Sequence, residues 1–129
     1  MTWIPSLENV LTMHDKLIAR TGGAGGVRSM GLIESALNRA IAAFGGVDAY
    51  SGSIQKAAAV ACGLVQNHGF VDGNKRIGIA TMLLMLEKNG IHISFTQQEL
   101  VALGLDMATN NATPETVASW IGIHSLPLM

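Results

Sequence analysis

Apolar residues recur along this chain at spacings of three and four, in six blocks, and most blocks open on a helix-capping residue. Ser6, after Pro5, opens the first, where Leu7, Val10, Leu11, Leu17 and Ile18 form one stripe. His14 falls on that stripe and reads as a core-edge histidine with a satisfied hydrogen bond. Ser29 opens a second helix whose inward face runs Leu32, Ile33, Ala36, Leu37, Ala40, Ile41 and Phe44. A third starts near Ser53 with Ile54, Ala57, Ala58, Ala61, Cys62 and Val65 on one face; Val60 and Leu64 on the other side predict burial nearly all round. The fourth spans about 74–88, is almost wholly apolar after Arg76, reads as the centre of a bundle, and stops at Asn89-Gly90.

Ile91, Ile93 and Phe95 then alternate with Ser94 and an exposed His92, the pattern of a short extended piece. Thr96 with Glu99 has capping-box spacing and opens a fifth helix through Leu100, Leu103, Leu105 and Met107. Thr113-Pro114 opens the sixth, with Val117, Trp120 and Ile121 packing it back on the bundle. The tail from His124 is expected to be mobile. No internal repeat and no dividing linker is seen, so residues 1–129 read as one all-α domain.

Two connections are rich in glycine. Thr21 to Val27 follows a helix and lacks the spacing and the Lys-Ser/Thr ending of a phosphate-binding P-loop, so its glycines read as a helix stop. Arg28, next to it, fits a surface charge or a substrate contact equally well. Gly45 to Gly52 reads as a loop.

Composition narrows the classes. The chain is 49% hydrophobic and 13% charged with a net charge of -1, which gives no basic footprint for nucleic acid or membrane surfaces. The longest apolar stretch, Ile77 to Leu86, is too short to span a bilayer, and the first residues lack the pattern of a signal peptide. The single cysteine, Cys62, cannot form an internal disulfide, lies on an apolar stripe, and fits inert packing in a reducing cytoplasm.

Against this background His68-Gly69-Phe70-Val71-Asp72-Gly73-Asn74-Lys75-Arg76 concentrates an imidazole, a carboxylate and two cations between apolar helices. Lys75 and Arg76 occupy the first turn of the fourth helix, where each opposes the helix dipole by about 0.3–1 kcal/mol. A bound anion removes that conflict, because the first amides of a helix lack internal partners. Gly73 permits close backbone approach and Asn74 can donate from its amide, which makes a phosphate pocket. Asp72 beside it points to magnesium, although capping the helix is the alternative for that residue. His68 suits removal of a proton from a hydroxyl, because imidazole is the side chain that changes charge nearest neutral pH. Phe70 is expected to point inward. The residues alone read as magnesium-assisted transfer from a phosphate ester.

The same nine residues match the Fic signature, His-x-Phe-x-Asp/Glu-Gly-Asn-x-Arg, at all six fixed positions. The chain resembles the Fic/Doc superfamily, and more closely its death-on-curing (Doc) toxin branch, in size, in the Leu-Thr-Met-His-Asp opening, in the Thr-Gly-Gly connection and in the order of six helices. The resemblance implies a six-helix Fic-fold bundle with the signature loop between two central helices. It implies His68 as the base, Asp72 as the magnesium ligand, Gly73 and Asn74 as an anion hole, and Lys75 and Arg76 on nucleotide phosphates. Gly45 to Gly52 falls, by chain order, where relatives carry a flap that aligns an extended target segment.

Lys75 stands where AMP-transferring relatives usually have glycine. Its presence, as in Doc toxins, implies a kinase that moves the terminal phosphate of ATP to a threonine of elongation factor Tu and arrests translation. AMP transfer on the same fold, and a catalytically silent binding module, are the other readings. Gly69 replaces a frequent proline and is expected to loosen the loop; Ile77 replaces a small hydroxylated residue. None of the five glutamates has Ser or Thr four residues before it, so the self-inhibitory motif of some relatives is absent. Control then falls to a Phd-like antitoxin acting in trans, whose C-terminal segment folds into a groove.

Overall fold

In a computed structural model, described for residues 1–127, six helices surround one core. They are α1 (Leu7–Thr21), α2 (Met30–Asn38), α3 (Ser53–Asn67), α4 (Asn74–Lys88), α5 (Gln97–Ala108) and α6 (Pro114–His124). A two-stranded antiparallel hairpin, β1 (Ala43–Phe44) and β2 (Val47–Asp48), lies between α2 and α3.

The capping signals act as the residue types predict. Ser6 and Asn9 cap α1 reciprocally, Thr96 and Glu99 cap α5, and Thr113 and Thr116 cap α6 behind Pro114. Each such cap contributes about 0.5–2 kcal/mol. Helix α3 is the enclosed one: every residue from Lys56 to Val65 is buried. Helix α4 packs along it but leaves Ile79, Ala80, Leu83 and Leu84 only partly covered, so the centre of the bundle is α3 rather than α4.

Two expectations, one for α2 and one for α5, fail for tertiary reasons. The apolar stripe of α2 runs on to Phe44, yet the helix stops at Asn38, and Ile41 and Phe44 are 66% and 77% exposed. Lys56, reaching out of α3, donates to the Ala40 carbonyl at 2.7 Å and to Asp48 Oδ2 at 3.3 Å. Those contacts hold the chain just past α2 and tie down the hairpin, whose Gly45-Gly46 turn has both φ angles positive, at 58° and 81°. Leu105 faces solvent at 52% exposure, because the buried side of α5 carries Leu100, Leu103 and Met107.

The tail is held as far as it is described; its last two residues lie outside the described part. His124 stacks on Trp120, and its Nε2 donates to Glu99 Oε2 at 2.5 Å while Nδ1 donates to the Trp120 carbonyl at 2.7 Å. The Ser94 and Leu126 amides bond across to the His124 and His92 carbonyls, so the extended piece at Ile93 pairs with Ser125.

Candidate active site

Helix α3 ends at Asn67, and His68 follows in the left-handed region, at φ 51° and ψ 49°. That conformation costs a residue with a Cβ roughly 1–2 kcal/mol and persists where the surroundings enforce it. The enforcement is visible on both sides of the bend. Phe70 is 2% exposed and stacks on the His14 ring with centroids 3.8 Å apart. Asn74 closes the loop from below: its Oδ1 accepts from the Phe70 amide at 3.1 Å and its Nδ2 donates to the Phe70 carbonyl at 3.0 Å. His14, itself 1% exposed, donates Nε2–H to the Asp72 carbonyl at 2.7 Å. A carbonyl only accepts, which fixes the proton on that nitrogen.

The glycine-rich connection lies across the loop instead of hanging free. Val71 N bonds to Gly26 O at 3.1 Å, Val27 bridges Phe70, and the Arg28 and Ser29 amides both donate to Gly69 O at 2.8 and 2.9 Å. A Cβ on Gly23 would stand 2.4 Å from Asp72 Oδ2, so only glycine lets the connection come this close. Gly69 is equally confined, since its Cβ would meet Ile33 Cγ1 at 2.5 Å. It tightens the loop against α2 rather than loosening it.

Asp72 does not cap α4; Gly73 holds the N-cap position, at φ 79°, with no side-chain cap. The Asp72 carboxylate accepts from the Gly73 amide at 2.7 Å and from the Ala24 amide at 3.2 Å. Those two amides, with Arg76 behind them, hold its pKa below the usual range and keep it ionised. Arg76 donates to Thr21 Oγ1 and to the Gly22 carbonyl, the latter at 2.7 Å, and stands 3.7 Å from Asp72 Oδ1.

Three sets of groups remain without partners among the described residues: the exposed His68 imidazole, the exposed Lys75 ammonium, and the first backbone amides of α4. They meet at one cleft of about 430 Å³ lined by His68 and by Asp72 through Arg76. All six expected site residues, His68, Asp72, Gly73, Asn74, Lys75 and Arg76, therefore converge. Asn74 differs in manner: its side chain holds both the amide and the carbonyl of Phe70, while its backbone amide stays free at the start of α4. Nothing in the sequence signalled that Thr21 would accept from Arg76 or that Gly23 would lie against Asp72, and Arg28 was left undecided. The spacing of those residues to the signature carries no local signal.

On the far side of Lys75 and Arg76 an apolar groove of about 430 Å³ runs between α1, α4 and α5, lined by Leu17, Ile79, Leu83, Leu100 and Val101. The two cations thus belong to both hollows.

An all-helical bundle that presents an imidazole, an ionised carboxylate and a cation around bare helix amides is a scaffold for chemistry on an anionic group. The family comparison gives it a name: the Fic/DOC family model matches residues 4–86, and the chain belongs to that family. It is 36% identical over 118 residues to "Toxin Doc" of Mycolicibacterium smegmatis, covering 88% of this chain and 91% of that one. It is also 29% identical over 113 residues to "Protein kinase doc" of Escherichia phage P1, covering 88% of each. These relatives set it on the Doc branch.

Proposed function

We propose that this protein is the toxin of a toxin–antitoxin pair and moves the terminal phosphoryl group of ATP to a threonine hydroxyl of a translation factor, elongation factor Tu by family resemblance. The observation that carries the reading is the single cleft in which the free imidazole of His68, the ionised Asp72 and the unpaired Lys75 face the uncapped start of α4. A kinase and a toxin among the relatives' names support it.

In this reading the triphosphate seats on the α4 amides and on Lys75, which offsets the opposition between that cation and the helix dipole. His68 takes the proton of the incoming hydroxyl as its oxygen bonds to the terminal phosphorus, and ADP leaves. Asp72 suits a magnesium ion that arrives with the nucleotide, since that ion takes one or two carboxylates and fills its other positions with phosphate oxygens and water. Bound there, it would neutralise phosphate charge. No cluster of three His, Cys, Asp or Glu exists among the described residues, so the ion would be shared with the substrate rather than caged by the protein. The β1–β2 hairpin, exposed at all four strand residues, offers an open edge on which an extended target segment adds a strand. An antitoxin segment, apolar along one face and acidic at one end, fits the groove between α1, α4 and α5 with its acid at Lys75 and Arg76. Such a toxin works in the cytoplasm; none of the described helices is long and apolar enough to cross a membrane.

The test is incubation with magnesium, elongation factor Tu, and ATP labelled on the terminal or the alpha phosphate. Terminal label on the target supports the kinase. Alpha label would establish AMP transfer instead, and no label would leave a binding module. His68→Ala should lower the rate by roughly 10²–10⁴-fold; full activity in that variant removes His68 as the base.

A further inference from the structure

Arg28 lies outside the signature and in the connection between α1 and α2, yet it grips three consecutive carbonyl groups around His68. Its Nε donates to the His68 carbonyl at 2.7 Å and its Nη2 to the Asn67 carbonyl at 3.2 Å. Its own backbone amide donates to the Gly69 carbonyl at 2.8 Å. The last carbonyls of a helix have no intrahelical partners and mark the negative end of its dipole, so a guanidinium there satisfies both geometry and charge. The residue so held is also the only one in the loop other than glycine with a positive φ. If the peptides on either side of His68 turned, the Cα–Cβ bond would swing and carry the imidazole away from the cleft.

We propose that Arg28 is a positioning residue for the base: it fixes the left-handed turn that aims the His68 imidazole at the incoming hydroxyl. This rests on His68 being the base. The planar fork of arginine reaches two carbonyls at once, which the single ammonium of lysine does not. The Arg28 side chain is exposed, so its loss should leave the fold in place.

The experiment compares wild type, Arg28→Ala and Arg28→Lys, each also in a His68→Ala background. Readouts are kcat, KM for ATP, thermal melting and the NMR signals of the His68 ring. Arg28→Ala should lower kcat about 10–100-fold with KM for ATP changed less than about twofold, because a displacement near 1 Å carries a cost of that size. Arg28→Lys should recover only part. In the His68→Ala background, Arg28→Ala should leave the residual rate unchanged, since the residue it positions is gone. An unchanged kcat, or an equal loss in the His68→Ala background, overturns the proposal; the second result would mean a general structural role. If Arg28→Ala does not fold, the lysine variant carries the same comparison. If the wild-type chain transfers no label at all, the proposed function falls and with it the catalytic part of this role, while the geometric part is read from the ring: His68 resonances identical in wild type and variant overturn the claim that Arg28 sets this turn, and displaced ones uphold it.

Discussion

Gly69 tests how closely the bend at His68 is packed. An alanine Cβ there would lie 2.5 Å from Ile33 Cγ1 and 3.2 Å from both Ile33 N and Ser29 O. Ile33 is 1% exposed, Cγ1 is the inner atom of its longer branch, and the other two neighbours are backbone, so nothing flexible yields. Overpacking of this kind costs about 1–3 kcal/mol. Gly69 is not among the positive-φ residues, so alanine carries no backbone strain, and restricting the unfolded chain returns about 0.4–1 kcal/mol. The net expectation for Gly69→Ala is a loss of about 1–2 kcal/mol, or about 3–10 °C in Tm for a chain of this size. Ile33→Ala alone should cost about 2–5 kcal/mol by opening a cavity. Together the two changes relieve each other, the new methyl entering the space the isoleucine leaves, with a favourable coupling of about 1 kcal/mol or more. Urea denaturation of the four proteins by circular dichroism measures the cycle. Gly69→Ala as stable as wild type, or two losses that simply add, would refute the packing argument.

Other outcomes follow from single contacts. Both ring nitrogens of His124 face acceptors, which favours the protonated ring; hydrogen bonding to Glu99 raises its pKa and lowers that of Glu99. The His124 contribution is full below its ordinary 6.5 and fades as pH rises through the raised value, while that of Glu99 is full above 4.5 and fades as pH falls through the lowered one. Urea midpoints of wild type should therefore gain more than those of His124→Asn between pH 8.5 and pH 5.5; parallel profiles would disprove the pair. His14→Phe keeps a ring against Phe70 but strands the Asp72 carbonyl, so it should cost about 1–3 kcal/mol in denaturant melts. A change under about 0.5 kcal/mol would mean that the hydrogen bond contributes little. Burial, first of all, pushes the Cys62 thiol up to about 11, so a thiol reagent at pH 8 should label it only in unfolded protein. Prompt labelling of native protein contradicts that.

What could be read in the sequence was what is written contiguously. His68 through Arg76 lie side by side in the chain, so their convergence needed only a bend between two helices. The caps at Ser6, Thr96 and Thr113 are local chemistry as well, and the all-round burial of α3 follows from its composition. What stayed hidden depends on distant partners. Lys56 reaches from α3 to the Ala40 carbonyl just past the end of α2, which no stripe of apolar residues reveals. His124 and Glu99 hold the tail across 25 positions. Asn74 was expected to turn its amide to an anion, and its grip on the Phe70 backbone could not be foreseen. Gly69 looked like slack because a missing side chain says nothing about what presses on the space it leaves.

The run from Thr21 to Ser29 has the make-up of a spacer and the behaviour of a strap. It is buckled to the signature bend by Gly26, by Arg28 and Ser29, by Ala24 on Asp72 and by Thr21 and Gly22 on Arg76. An engineer seeking a place to splice in a tag would choose this segment from its composition and would dislodge the bend. The Gly45-Gly46 tip, equally rich in glycine and open on every side, is where added sequence leaves the signature bend alone.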